Sequence, residues 1–242
     1  MVFEGSDTTE FRLLDFFYVD DPMEFTYSRS LTTHGGFCQF VNGYLNFNGQ
    51  DAVLDRFRAI ANNNPTRRLN IAGSHIRLIG HADAVWSINF NTAGTNYANF
   101  DAAGSHLLVS EPRRLAYAQQ LWLGSVVYDS ITIDARYYTL IRRYDPTINH
   151  LFAHTGTRFY DNMNLTVNHL YLQGGMDYSF HANANGRPKL ILDQVTITSQ
   201  CHEYPMLRGW GGTLGHIGTQ VPGTTLTLDQ VILSRVEGDA TA

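Results

Sequence analysis

Eight residues recur along this chain with the same break in phase. The copies are Val126–Ile133, Leu165–Leu172, Leu190–Ile197 and Leu226–Leu233, with a weaker one at Ile71–Leu78. Large apolar or aromatic side chains fill positions 1, 3, 6 and 8 of each clear copy. Asp or Asn fills position 4: Asp129, Asn168, Asp193 and Asp229. A spacing of two on each side is strand alternation. The step of three between positions 3 and 6 shifts the phase by one residue, and a flat strand would then turn half its apolar side chains to water. The chain therefore has to bend at the Asx residue, a type that tolerates the left-handed conformation of a tight bend.

Two short strands meeting at an Asx corner, several times over, predict an all-β coiled structure. The corners lie 39, 25 and 36 residues apart, from Asp129 to Asn168, Asp193 and Asp229. That irregularity suits strands joined by loops of variable length. In this pattern, over residues 69–235, the sequence resembles the pectate-lyase-like right-handed parallel β-helix of polysaccharide lyases and phage tailspikes. The identical phase break predicts that the four Asx corners stack or lie on equivalent edges of one coil. Corners on unrelated edges would point instead to a jelly-roll sandwich.

The best helix pattern is at 51–61. Asp51 suits an N-cap, Val53, Leu54, Phe57, Ile60 and Ala61 share a helical face, and Asn62–Pro65 ends it. A helix there would cap the first coil, as in the tailspikes the chain resembles, after the stretch Asn48-Gly49-Gln50-Asp51. Residues 1–50 read as an irregular aromatic arm for docking, with Phe11, Leu13, Leu14, Phe16, Phe17 and Tyr18 clustered. Residues 51–242 read as the β-helix domain. Strands are expected at 85–90 and 106–109, a second helix at 111–123 and a long loop at 201–223.

Composition narrows the function classes. The net charge is −5, and Lys189 is the only lysine among 17 basic residues. No Lys/Arg-rich run marks a nucleic-acid footprint. No apolar run approaches the ~20 residues of a membrane span, and no signal peptide is expected from the first residues. Cys38 and Cys201 are read as reduced thiols.

His150 and His154 have the i, i+4 spacing of zinc ligands on a helix but lack the glutamate of a protease motif. No metal or cofactor is expected. Asp161, Asp177, His181, His202 and Glu203 are candidates for acid–base work on a glycosidic bond, but turn roles explain them as well. No catalytic residue is assigned. Asn164-Leu165-Thr166 matches a glycosylation sequon at a strand start. Gly209–Gly212 is not a nucleotide loop. Trp210 and Tyr204 are candidates for stacking on sugars.

The expected function is that of a virion structural protein, from a phage tail or capsid surface. Its expected partners are further copies of itself (a trimer), other virion subunits and a cell-surface glycan. The alternative is a carbohydrate-active enzyme, lyase or hydrolase, or a glycan-binding module on the same fold.

Overall fold

The structure is a computed structural model that describes residues 1–6, 8–19, 37–59, 67–80, 84–88, 99–110, 119–135, 139–142, 145–154, 157–160, 164–172, 177–181, 189–197, 206–210 and 232–233. The chain runs through its sheets in rotation. The first pass gives β1 (Val2–Phe3), β2 (Glu10–Arg12) and β3 (Phe17–Val19), and the second gives β4 (Phe37–Phe40), β5 (Tyr44–Asn46) and β6 (Ala52–Leu54). The third gives β7 (Arg56–Ala59), β8 (Arg68–Asn70) and β9 (His75–Leu78), and the fourth gives β10 (Ala84–Ile88), β11 (Phe100–Asp101) and β12 (His106–Ser110). Among the described residues the later passes supply two strands each: β13 (Gln119–Trp122) with β14 (Val127–Asp134), β15 (Thr139–Arg142) with β16 (Thr147–Ala153), β17 (Thr157–Tyr160) with β18 (Asn164–Leu172), and β19 (Asp177–His181) with β20 (Lys189–Ile197). β21 (Met206–Trp210) and β22 (Ile232–Leu233) follow.

Three sheets result, and their strands pair in parallel. Sheet A has ten strands in the order β1-β4-β7-β10-β13-β15-β17-β19-β21-β22, sheet B four in the order β11-β8-β5-β2, and sheet C eight in the order β20-β18-β16-β14-β12-β9-β6-β3. Within each sheet the interior strands pair with their counterparts one pass earlier and one pass later.

The corner from B to C is built the same way in three passes. Asn46, Asn70 and Asp101 each accept a backbone hydrogen bond two residues on, from Asn48 (2.8 Å), Ala72 (2.8 Å) and Ala103 (3.0 Å). These are Asx turns. Each leads into a glycine of positive φ: Gly49 at 70°, Gly73 at 69° and Gly104 at 65°. The buried side chains on either side are five residues apart, as in Phe47 to Ala52, Ile71 to Ile76 and Ala102 to Leu107. The weak copy at 71–78 is one of these wider corners.

At the fifth pass the corner loses its glycine. Tyr128 and Ile131 are both fully buried and only three residues apart, and the strand runs on through Asp129. Tyr128 fills the space beside the last strand of sheet B. Its ring lies 5.2 Å from Phe100, its hydroxyl donates to Leu123 O (2.7 Å), and it accepts from the Trp86 indole (3.0 Å). Trp86 in turn stacks on Phe57 at 4.6 Å. One aromatic cluster thus seals the interior where the third sheet stops.

No helix forms over 51–59, and 60–61 lie outside the described residues. Ala52–Leu54 is a strand of sheet C and Arg56–Ala59 a strand of sheet A, with Ala52, Leu54, Phe57 and Ala59 buried. The step of three across the corner at Asp55 imitates helical spacing, and this produced the helical expectation. Gln119–Trp122, placed in a second helix, is likewise a strand, while 111–118 lies outside the described residues. Met206–Trp210, expected in a loop, pairs in register with Asp177–His181. Residues 1–50 contribute β1 to β5, and Phe3, Phe11, Leu13 and Phe17 pack against the core. Among the described residues no helix is long and apolar enough to cross a membrane.

Candidate functional site

The outward side of sheet C carries the densest chemistry among the described side chains. The strand register places Asp129, Asn149, Asn168 and Asp193 one above another, because Tyr128, Ile148, Val167 and Leu192 are successive partners, as are Ser130, His150, His169 and Gln194. Three of the expected corners therefore share an edge. Asp229 lies outside the described residues. Asn149 joins them unforeseen. The side chains form a ladder: Asn149 donates to Asp129 (3.4 Å) and Asn168 donates to Asn149 (3.0 Å). The strands run on through these positions without the left-handed backbone expected of them. Among the described residues, Asn48 is the non-glycine with positive φ, at 56°.

Next to this ladder run two outward columns. His75, His106, Ser130, His150 and His169 make one, and Arg77, Leu108, Thr132, Phe152 and Tyr171 make the other. His150 stacks on His169 at 4.9 Å with planes 13° apart, and Phe152 on Tyr171 at 4.6 Å and 10°. These separations equal the strand spacing of ~4.8 Å, so each ring lies flat on its counterpart one pass away. The ring faces cover one another and their edges point outward. Stacked aromatics and Asn ladders stabilise in-register parallel sheets in just this way.

His106 meets the Thr132 hydroxyl at 2.7 Å. Burial first, and the neighbouring His75 second, push its imidazole below the ordinary value, so the neutral ring is favoured. A neutral imidazole on a hydroxyl is a base–nucleophile geometry. A third group would have to orient the ring, and the ring's aromatic neighbour is His75, 6.1 Å away edge-on. His75 itself lies 3.6 Å from Asp51, with both side chains more than half exposed. This arrangement is a rung of a ladder rather than a catalytic triad.

His150 and His154 do not converge. They sit on extended backbone, ~13 Å apart by strand rise, and His154 approaches Asp134 at 3.9 Å. Among the described residues, no three His, Cys, Asp or Glu side chains are placed to hold a metal. Asp161, His202, Glu203, Tyr204 and Cys201 lie outside the described residues. Asp177, His181 and Trp210 are placed by their strands: His181 and Trp210 are register partners in sheet A, as are Asp177 and Met206. Asn164 opens β18 opposite Lys189. Cys38 is a buried free thiol, and burial raises its pKa to about 12.

Arg67 and Arg68 are adjacent in the sequence. The structure separates them. Arg68 is exposed, and Arg67 is 2% exposed with its guanidinium 5.8 Å from the Phe40 ring centroid, its pKa lowered by burial to about 10. No signal in the sequence distinguishes the two, because the corner that buries one is set by the strand phase around it. No family model, curated protein or solved structure matches the chain.

Proposed function

We propose that this chain is a virion structural protein, a phage tail or capsid-surface component whose body is a right-handed parallel β-helix of the tailspike type. Parallel strands joined pass after pass into the same sheets support the β-helix, and crossovers between parallel strands of one sheet are right-handed in ~98% of cases. The observation that carries the functional reading is the first pass. Among the described residues, its strands β1, β2 and β3 are the end strands of their sheets, each with one edge not paired to a described strand. Met1, Val2, Leu14 and Phe16 are exposed there at 60%, 57%, 82% and 55%. An apolar surface rimmed by open strand edges is an interaction site or an aggregation hazard. In a protein built for assembly it is covered by other subunits.

The outward ladders fit the same role. Their polar and aromatic groups are engaged with one another along the stack, which rigidifies a scaffold. A second reading, a glycan-binding module, draws on the half-exposed rings of His150, Phe152, His169 and Tyr171. Against it stands the fact that the ring faces, which a sugar would stack on, already cover one another.

Light scattering of the purified chain at micromolar concentration tests the proposal. Oligomers are expected, and Leu14→Asp/Phe16→Asp is expected to weaken them without lowering the melting temperature. A stable monomer that binds glycans on an array would overturn the structural reading in favour of the second.

A further inference from the structure

Three Asn-Gly pairs occur in the chain: Asn42-Gly43, Asn48-Gly49 and Asn185-Gly186, of which the last lies outside the described residues. Asparagine before glycine carries a latent reaction. The following backbone nitrogen can attack the side-chain carbonyl carbon, and glycine obstructs that approach least, having no side chain and a wide choice of backbone angles. Burial and hydrogen bonding hold the reaction back, so the fold decides which pair can react.

The two described pairs have opposite surroundings. Gly43 is buried, Asn42 is half-buried, and the Asn42 side-chain amide donates to Gly5 O at 2.9 Å. A Cβ on Gly43 would lie 2.7 Å from Thr9 O, so backbone crowds this turn. Asn48 and Gly49 are both exposed, at the corner between β5 and β6, with φ of 56° and 70°. A Cβ on Gly49 would meet nothing within 4 Å. Its equivalent one pass later, Gly73, donates its amide to Ala103 O at 2.9 Å, whereas no described group accepts from the Gly49 amide. The nucleophile is therefore open to solvent.

The electrophile is set up by the first pass. Arg12 Nε donates to Asn48 Oδ1 at 3.1 Å, while the side-chain nitrogen, the group that must leave, reaches Leu13 O only at 3.4 Å. A cationic donor on the carbonyl oxygen stabilises the negative charge that develops there as the backbone nitrogen adds.

We propose that Asn48 is a site of intramolecular deamidation in the folded protein, promoted by Arg12. Hydroxide takes the Gly49 amide proton and the nitrogen bonds to Asn48 Cγ. The Cγ–Nδ2 bond breaks, and ammonia leaves with a proton from water. Water then opens the resulting five-membered imide at one of its two carbonyls. One water is consumed and one ammonia released, with no change of oxidation state. Opening at Cγ gives aspartate, whose carboxylate faces Arg12. Opening at the main-chain carbonyl gives isoaspartate, which lengthens the main chain by one carbon inside the corner.

The test incubates the purified full chain at mildly alkaline pH and follows both sites by peptide mass spectrometry, with isoaspartate distinguished by enzymatic methylation. In the folded protein, product at 48 is expected to form at least about tenfold faster than at 42, because structure protects the second pair. In strong urea the two are expected to react at similar rates. Arg12→Met keeps the apolar stem and removes the donor. With folding confirmed by circular dichroism, it is expected to slow the reaction at 48 at least about threefold, a modest factor because the donor works in water. In urea the same variant is expected to match its parent. Equal rates at 42 and 48 in the folded protein, or a folded Arg12→Met chain that reacts at 48 no more slowly than its parent, would overturn the proposal.

Discussion

The second to fourth passes and the later ones solve one problem with different corners. In the earlier group each turn into sheet C has an Asx side chain bonded to backbone two residues on and then a left-handed glycine, while the Asn46 and Asn70 amides also reach Glu10 and Tyr44 one pass back. In the later passes the turn has lost two residues, and the Asx side chains bond instead to their counterparts above and below. The spacing between equivalent corners is 24 and 31 residues from Asn46 to Asn70 to Asp101, and 20, 19 and 25 from Asp129 to Asn149 to Asn168 to Asp193. The early corner spends chain length to enclose a wider, three-sheeted core. The later corner saves length and replaces local closure with cooperation between passes.

The junction between the two regions is where the largest effect is expected. Tyr128→Ala removes a fully buried ring and leaves the Trp86 indole and Leu123 carbonyl without their partner. A loss of at least about 4 kcal/mol is expected, from the cavity and the unsatisfied groups together. Tyr128→Phe keeps the packing and should lose about 1–3 kcal/mol. Urea unfolding of both variants checks this. Equal, small losses would mean that the junction does not depend on the tyrosine.

A left-handed glycine is expected to matter in the early corners. Gly104→Ala meets no atom within 4 Å, so its cost comes from φ +65° alone. About 1–2 kcal/mol is expected. Asp129→Ala, in a corner without positive φ, should lose about 1 kcal/mol through its ladder bond. If Gly104→Ala is neutral, the early corner is not held by its backbone geometry.

Coupling separates the two designs most cleanly at small magnitude. The double-mutant cycle Asn149→Ala with Asn168→Ala should show about 0.5–1 kcal/mol of interaction, because the two share a bond. Asn70→Ala with Asp101→Ala should be additive to within about 0.3–0.5 kcal/mol, because each closes its own turn. The reverse result would exchange the roles assigned to the corners.

The smallest effect concerns pH. The His106 imidazole is pushed below its ordinary 6.5 by burial and by His75. The unfolded chain therefore binds the proton more readily, and this part of the stability is present above pH ~6.5 and lost as pH falls through that value. His106→Asn should flatten the urea midpoint between pH 7 and pH 5 by a small amount, since the ring is partly exposed. A steeper dependence in the variant would reverse the sign.

How much of this was legible follows from the corners. The three-residue step at Asp129, Asn168 and Asp193 announced strands and a shared edge, because the phase break is local and repeated. The five-residue step from Ile71 to Ile76 was legible only as a weak copy, since two extra residues blur the alternation. Around Asp55, the step from Leu54 to Phe57 coincides with helical spacing, and nothing local separates the two.

That register is the central claim, and cysteine cross-linking measures it most directly. Cys38 is buried with its pKa raised to about 12, so it stays unreactive, and Cys201→Ser removes the other thiol. In that background Thr132→Cys/Phe152→Cys, register partners in adjacent strands, should oxidise to a disulfide, as parallel neighbours ~4.8 Å apart allow. Leu108→Cys/Phe152→Cys, two passes apart at ~10 Å, should not. A bridge in the second pair and none in the first would contradict the stacking of passes on which the whole account rests.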